Sequence, residues 1–380
     1  MELASPKRFP KTWEVLKRGI SEGVAPGFVA GFFDAKKPNE PAQAFVLGQA
    51  RVEPSPQELA LDSTFDIASV SKVFSTATLL AVMVEKGWLD WETPVSSILE
   101  DFPHPDVQVV HLAAHSSGQL WWNSFYETLK ANAAATGKPL WEVSFEQRQK
   151  WMRELVFAQP LVTKPGEKFV YSDLTMMTLG FVLEEVCGHP LDQAVREWVW
   201  EPMGIKTAHY RRITGPAEET GGSEKSPSRY VATERCPWRG AVLQGQVHDD
   251  NCWSMGGVSG HAGVFSDLRD LMIFGQKHLA GFLPESTRRI AWAAVTPPWG
   301  PADSHRTPGW DMPSGARPSL GSHFSRQSVG HLGFTGTSFW IDPDSGLAVA
   351  LLSNRVHPTR DNDKIRAFRP DFHDALAQEI

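Results

Sequence analysis

The chain predicts an α+β fold: an antiparallel sheet flanked by helices, with a second lobe that is mostly helical. Strand-like runs stand near both ends, and the long middle carries helical periodicity. Nowhere do strands alternate with helices as a parallel sheet would require. Terminal strands can then share one sheet, which gives a single unit of 380 residues. Its α/β lobe covers about residues 1–68 and 265–380 and its helical lobe about 69–264.

Residues 11–22 read as a helix, because Trp13, Leu16 and Ile20 recur at three- and four-residue steps. Gly27 to Phe33 and Ala44 to Leu47 read as strands, rich in Val, Phe and Ala and bounded by Gly, Pro and Asn. A Pro/Glu-rich loop covers 52–60. From Val70 the pattern is helical, with Val73, Ala77, Leu80 and Val84 on one face and Gly87 ending the run. Further helices are expected over 107–115, 145–157, Asp173 to Cys187 with Gly188 as the stop, and Pro190 to Trp200. Residues 211–246 look irregular, an excursion over a rim, and 296–322 are again rich in Pro, Gly and Ser. Asp267 to Leu279 is helical. Thr337 to Ile341 and Leu347 to Leu352 are strands around an Asp-Pro-Asp-Ser-Gly turn, and a helix over about 363–378 closes the chain.

Composition narrows the function classes. A hydrophobic fraction of 41% and a charged fraction of 21% suit a folded globular protein. The net charge of −7, with no run of Lys or Arg, argues against nucleic acid or an anionic membrane as partner. Three cysteines with no Cys-x-x-Cys are no disulfide framework. The first eighteen residues lack an apolar signal core, and no uninterrupted apolar run of about eighteen residues follows, so the cytoplasm is the expected location. Oligomeric state is not legible. Fifteen tryptophans serve packing first, although Trp121, Trp122, Trp253, Trp299 and Trp310 could line an apolar cleft.

Ser69-Val70-Ser71-Lys72 is the only Ser-x-x-Lys in the chain. On a helix starting near Ser69, side chains three apart share a face, so the Lys72 amine can reach the Ser69 hydroxyl. A serine hydroxyl needs such an adjacent base to become a nucleophile, and a helix N-terminus favours the anion that develops. Tyr171-Ser172-Asp173 follows the Pro165-Gly166 turn and opens a helix. Ser172 or Asp173 can be its cap, or the phenol and a polar partner can point at Ser69. Gly330 to Thr337 is glycine-dense at a strand start, which lets a ligand approach the backbone.

The order Ser-x-x-Lys, a Tyr-led triplet about a hundred residues on, and a glycine-rich strand near the C-terminus resembles penicillin-binding proteins and class C β-lactamases. His115 to Gly118, Val247 to Asp250, Gly256 to Phe265 and Gly330 to Asn354 extend the resemblance over about residues 12–375. It implies the two-lobed β-lactamase/transpeptidase fold. It implies an acyl-enzyme on Ser69, with Lys72 and Tyr171 moving protons and an oxyanion hole from the N–H groups of Ser69 and Phe334 beside Gly333. It also implies that the loop of His248 borders the cleft. With Trp121, Trp122 and Trp310, His248 is therefore an expected substrate contact.

Two residues depart from the pattern. Asp173 replaces the usual Asn, which puts a carboxylate near Lys72 and favours its ammonium, leaving Tyr171 as the main base. His331 replaces the usual Lys, removing a permanent cation from the place that meets a substrate carboxylate. Feeble action on penicillins follows, with uncharged esters or amides preferred, unless Arg355 restores the charge. His248, Asp249 and Asp250 do not suggest a metal, since adjacent ligands rarely converge and no zinc motif is present. His115 and His261 read as structural. Gly257-Val258-Ser259-Gly260-His261 fails as a nucleophile elbow at its last position, and no phosphate loop or dinucleotide fingerprint calls for a cofactor. The expected substrate is a small ester, amide or peptide. The alternative is a silent family member that binds or senses wall-derived peptides.

Overall fold

The computed structural model describes residues 1–216, 229–303 and 305–380. Its seven-stranded sheet joins the two ends of the chain. Across it run Glu2–Leu3, Gln43–Arg51, Gly27–Asp34, Leu347–Ser353, Ser338–Asp342 and Val329–Leu332, with Gln57–Glu58 beside Gln43–Arg51. All pairings are antiparallel except that of Glu2–Leu3. The central pair sets Val29 opposite Leu352 and Ala30 opposite Leu351, buried strands with apolar residues on both faces.

Helices cover both faces. Pro10–Ser21 and Ile365–Ala377 pack together on one, where Phe28 stacks on Phe368 at 4.9 Å. Gly19 lies in that seam, and a Cβ there would stand 2.6 Å from the Phe368 ring. Leu268–Leu279 covers the other face against Leu347–Ser353 and Gly27–Asp34.

The helix after Ser69 is less regular than its periodicity suggests. A tight turn over Ala68–Val70 leads into a wide-turned stretch, Lys72–Ala77, before ordinary α-helix over Thr78–Glu85. Wide turns of this kind often mark functional sites. The segment Ala68–Glu85 is long and apolar enough to span a membrane by composition, but 83% of it is buried inside the fold, as a core helix would be.

Several expectations need correction. The stretch 211–246 is not irregular throughout: Ala232–Cys236 pairs with Ala241–Gln244, while 217–228 lie outside the described residues. Phe125–Ala135 and Glu285–Ala291 are helices that the sequence reading missed. The first has a weakly sided, alanine-rich face. The second is a short run after Pro284 with little apolar periodicity.

Candidate active site

A cleft of about 550 Å³ opens where the Ser69 turn, the start of Asp173–Cys187, the loop at 248–250 and the end of Val329–Leu332 meet. The turn is built to present Ser69. Ala68 adopts φ 48°, a left-handed conformation that an alanine rarely takes, and the Asp66 carboxylate holds it by accepting the Ala68 N–H at 2.9 Å. The other Asp66 oxygen accepts the His248 N–H at 2.6 Å. Burial pushes the Asp66 carboxyl above its ordinary value, against these two bonds.

Lys72 is fully buried. Its ammonium donates three hydrogen bonds of 2.9 Å, to Ser69 Oγ, Asp173 Oδ1 and the His261 carbonyl. Burial opposes its charge, but the Asp173 carboxylate and Tyr171 outweigh that and raise the amine above the ordinary lysine value. The Lys72 Nζ also sits 5.1 Å from the centre of the Tyr171 ring. Tyr171 lines the same cleft as Ser69, and its pKa is raised, mainly by burial and against the pull of Lys72.

Ser172 resolves the alternatives for its triplet. Its side chain caps the helix, accepting from Thr175 N, and donates to the Leu120 carbonyl at 2.6 Å. Asp173 is thereby free to face Lys72. The Asp173 N–H donates to Trp121 O at 2.9 Å, so the tryptophan pair is tied to the same turn. His115 accepts the Ser172 N–H at 3.1 Å and packs at a tilt with its ring 4.8 Å from that of Tyr171, a supporting role.

The opposite wall is stapled to the Ser69 turn. Thr335 Oγ1 donates to Asp66 O at 2.8 Å and Thr337 Oγ1 to Ile67 O at 2.9 Å. Gly333 lies so close that a Cβ there would stand 2.6 Å from Ile67 O, which explains the glycine. Arg369, from the last helix, donates to Gly333 O and Thr337 O at 2.9 and 2.8 Å. Burial pushes its guanidinium down to about 9. Phe334 is half exposed in the cleft, and no hydrogen bond occupies its N–H among the described residues.

The remaining candidates separate. Trp121 and Trp122 line the cleft, and Trp121 is 61% exposed at its mouth. Trp310 does not: it is buried, stacked on Phe274 and edge-on to Trp292. Trp253 is likewise buried against Trp238, and Trp299 is not among the cleft residues. Aromatic count carried no signal that could separate packing from lining.

His331 borders the cleft but is 4% exposed. Burial holds it well below its usual pKa and so neutral, a stronger cause than an unperturbed imidazole would supply. Its Nδ1 lies 2.8 Å from the carbonyl of Leu332. Arg355 reaches the cleft, yet its donors go to the carbonyls of Phe334, Arg360 and Asn362. Sequence reasoning missed several cleft-lining cations, Arg360, Arg366 and Arg369 among them, and also Arg306. It lines the cleft 5.6 Å from the Tyr171 ring and pairs with Asp311 at 3.0 Å. A lone Arg in a Pro/Gly-rich stretch gave no sign of this.

The three adjacent side chains at 248–250 diverge. His248 meets Glu234 at 3.1 Å and stacks on Phe334, Asp249 meets His261 at 2.9 Å, and Asp250 pairs with Arg239 and Arg360. Ligand-type atoms of Asp173, Asp249 and His261 do lie within 4.8 Å of one another. The Lys72 ammonium and the His261 hydrogen bond already serve these two carboxylates.

A Ser–Lys–Tyr cluster around a buried ammonium, in a cleft that Phe334 also lines, on this sheet-and-helix frame, is the arrangement of a serine hydrolase. The chain belongs to the beta-lactamase family, whose model matches residues 23–372. A relative from Salmonella agona (strain SL483), whose given name proposes a D-alanyl-D-alanine carboxypeptidase, is 29% identical over 335 residues, 80% of this chain and 72% of that protein. Among solved structures, the hydrolase EstCE1, described as having promiscuous acyltransferase activity, has a TM-score of 0.69 at 22% identity, covering 97% of this chain and 98% of its own. A penicillin-binding protein homologue from Caulobacter crescentus has a TM-score of 0.67 at 16% identity, over 99% of both chains. These likenesses bear out the expected fold.

Proposed function

We propose that the protein hydrolyses a small ester or amide through an acyl-enzyme on Ser69 and acts poorly on β-lactams. The observation that carries this reading is the Lys72 ammonium held 2.9 Å from Ser69 Oγ while Asp173 keeps it charged. In this reaction Ser69 Oγ attacks the substrate carbonyl and its proton passes to the Tyr171 phenolate, which the ammonium stabilises. The N–H groups of Ser69 and Phe334 hold the oxyanion. Tyr171 returns the proton to the leaving group, and a water then releases the acid by the same steps in reverse order.

The preference for uncharged substrates is supported by the cations around the cleft. His331 is neutral, Arg355 and Arg369 donate to backbone carbonyls, Arg306 is paired with Asp311 and Arg360 with Glu234 and Asp250, which leaves the exposed Arg366 as the remaining cation of the lining. Trp121, Trp122 and Phe334 offer apolar walls for an acyl or leaving group. The family also suits a D-amino-acid amide or short peptide, as the name of the Salmonella relative suggests. Three free cysteines suit a reducing compartment such as the cytoplasm.

A fluorophosphonate should label the protein on the peptide that holds Ser69. In a panel of short-chain nitrophenyl esters, D-amino-acid amides and nitrocefin, one of the first two should turn over fastest. Absence of labelling, or nitrocefin as the best substrate at neutral pH, would overturn the reading.

Because burial raises the Tyr171 pKa, the phenolate is a minor form at neutral pH, and kcat/KM should climb as pH rises past neutrality. The Asp173 charge contributes to that elevation. Asp173→Asn should therefore move the ascending limb to lower pH by about one pH unit. An unchanged limb would show that Tyr171 is not the group being titrated.

A further inference from the structure

Behind Lys72 lies a second hydrogen-bonded set that the reaction does not touch. His261 is 1% exposed. Both its ring nitrogens are held: Nδ1 by Ser259 Oγ at 2.7 Å and Nε2 by Asp249 Oδ1 at 2.9 Å. Asp249 is fixed in turn, since the same oxygen accepts the Cys252 N–H at 2.7 Å. The backbone beside it is held too, with Gly260 O accepting from Thr76 Oγ1 at 2.7 Å and Ala262 O contacted by Cys252 Sγ at 3.4 Å. A Cβ on Gly260 would stand 2.1 Å from Met176 O, so the loop presses directly on the helix that carries Asp173.

The output of this clamp is one atom. The His261 carbonyl takes the third proton of the Lys72 ammonium. Ser69 and Asp173 take the other two, and with three acceptors set the ammonium has no rotational freedom left. We propose that His261, clamped by Asp249 and Ser259, is a positioning residue that aims Lys72 at Ser69 and Tyr171. This rests on the acyl-enzyme reading above and adds a part to it.

If the clamp loosens, the His261 carbonyl drifts and the ammonium moves away from Tyr171, whose ring centre lies 5.1 Å from it. The phenolate then loses stabilisation, and the ascending limb moves to higher pH, opposite to the shift expected for Asp173→Asn. The other titratable groups facing Lys72 are Tyr171 and Asp173 at the helix start, Asp249 and Cys252 from the 249–254 segment, His115, and His331 on the sheet. They remain in place in the variants below, Asp249 apart.

The test uses the full chain with nitrophenyl acetate as probe, measuring kcat, KM, the pH profile and thermal melting. Asp249→Ala should lower kcat by about tenfold, leave KM within about twofold, and raise the ascending limb by about half a pH unit. Asp249→Asn keeps an acceptor oxygen for His261 and Cys252 and should restore both rate and profile. Ser259→Ala, which removes only the Nδ1 partner, should shift the limb in the same direction by less, and it carries the test if Asp249→Ala does not fold. A limb at the wild-type pH in a variant that still melts cooperatively, or a loss confined to KM, would overturn the proposal. If wild type is labelled by fluorophosphonate while the limb stays fixed, only the clamp fails. If wild type is not labelled, the acyl-enzyme reading fails with it.

Discussion

Ser69→Ala is expected to abolish fluorophosphonate labelling and to lower ester turnover by a factor on the order of 10⁴ or more. The reason is local. No other serine or threonine oxygen receives the Lys72 ammonium among the described residues, so no second nucleophile can take over. The substitution removes one acceptor of three, and the ammonium keeps Asp173 and the His261 carbonyl. Folding should therefore survive, with little change in melting temperature. Titrating labelled protein by mass spectrometry, with melting measured on the same sample, checks both halves. A Ser69→Ala protein that retains labelling would move the nucleophile elsewhere.

Lys72→Met should lower kcat by about 10³-fold or more while the cleft still binds substrate analogues, because the phenolate of Tyr171 would lose its counter-charge in a buried site. Stability should fall as well, since the change leaves the Asp173 carboxylate without its cation. The sign of the pH dependence follows from the direction of the shift. The folded-state pKa of Lys72 is raised, so the stability it contributes is fully present below the ordinary lysine value and is lost only as pH climbs through the higher folded value. The stability gap between wild type and Lys72→Met should thus be flat through neutrality and narrow only in strong alkali. Denaturant melts at several pH values measure it. A gap that narrows on acidification would place the titrating group elsewhere.

The sequence carried the frame and the reacting groups for physical reasons. Trp13, Leu16 and Ile20 repeat at helical steps because one face of Pro10–Ser21 must be buried. Ser69 and Lys72 are three apart on one turn, so their meeting follows from local geometry even though the helix is wide-turned beyond them. Asp173 was legible as an anomaly in a known pattern. Arg306, Arg369 and the clamp at His261 were not, because each acts through a partner far away in the chain and leaves no periodic trace. Trp310 misled for the related reason that an indole buried beside Phe274 and one lining a cleft look alike in sequence.

The two threonine staples and Arg369 carry a consequence for the order of events in the cell. The serine turn at 66–69 is anchored by hydroxyls at 335 and 337, and that strand end is gripped from the last helix. A nascent chain still waiting for residue 369 thus has its nucleophile but no finished pocket around it. Hydrolytic competence should arrive all at once, when residue 369 has been made and has docked on that strand end, and the growing polypeptide stays chemically silent until then.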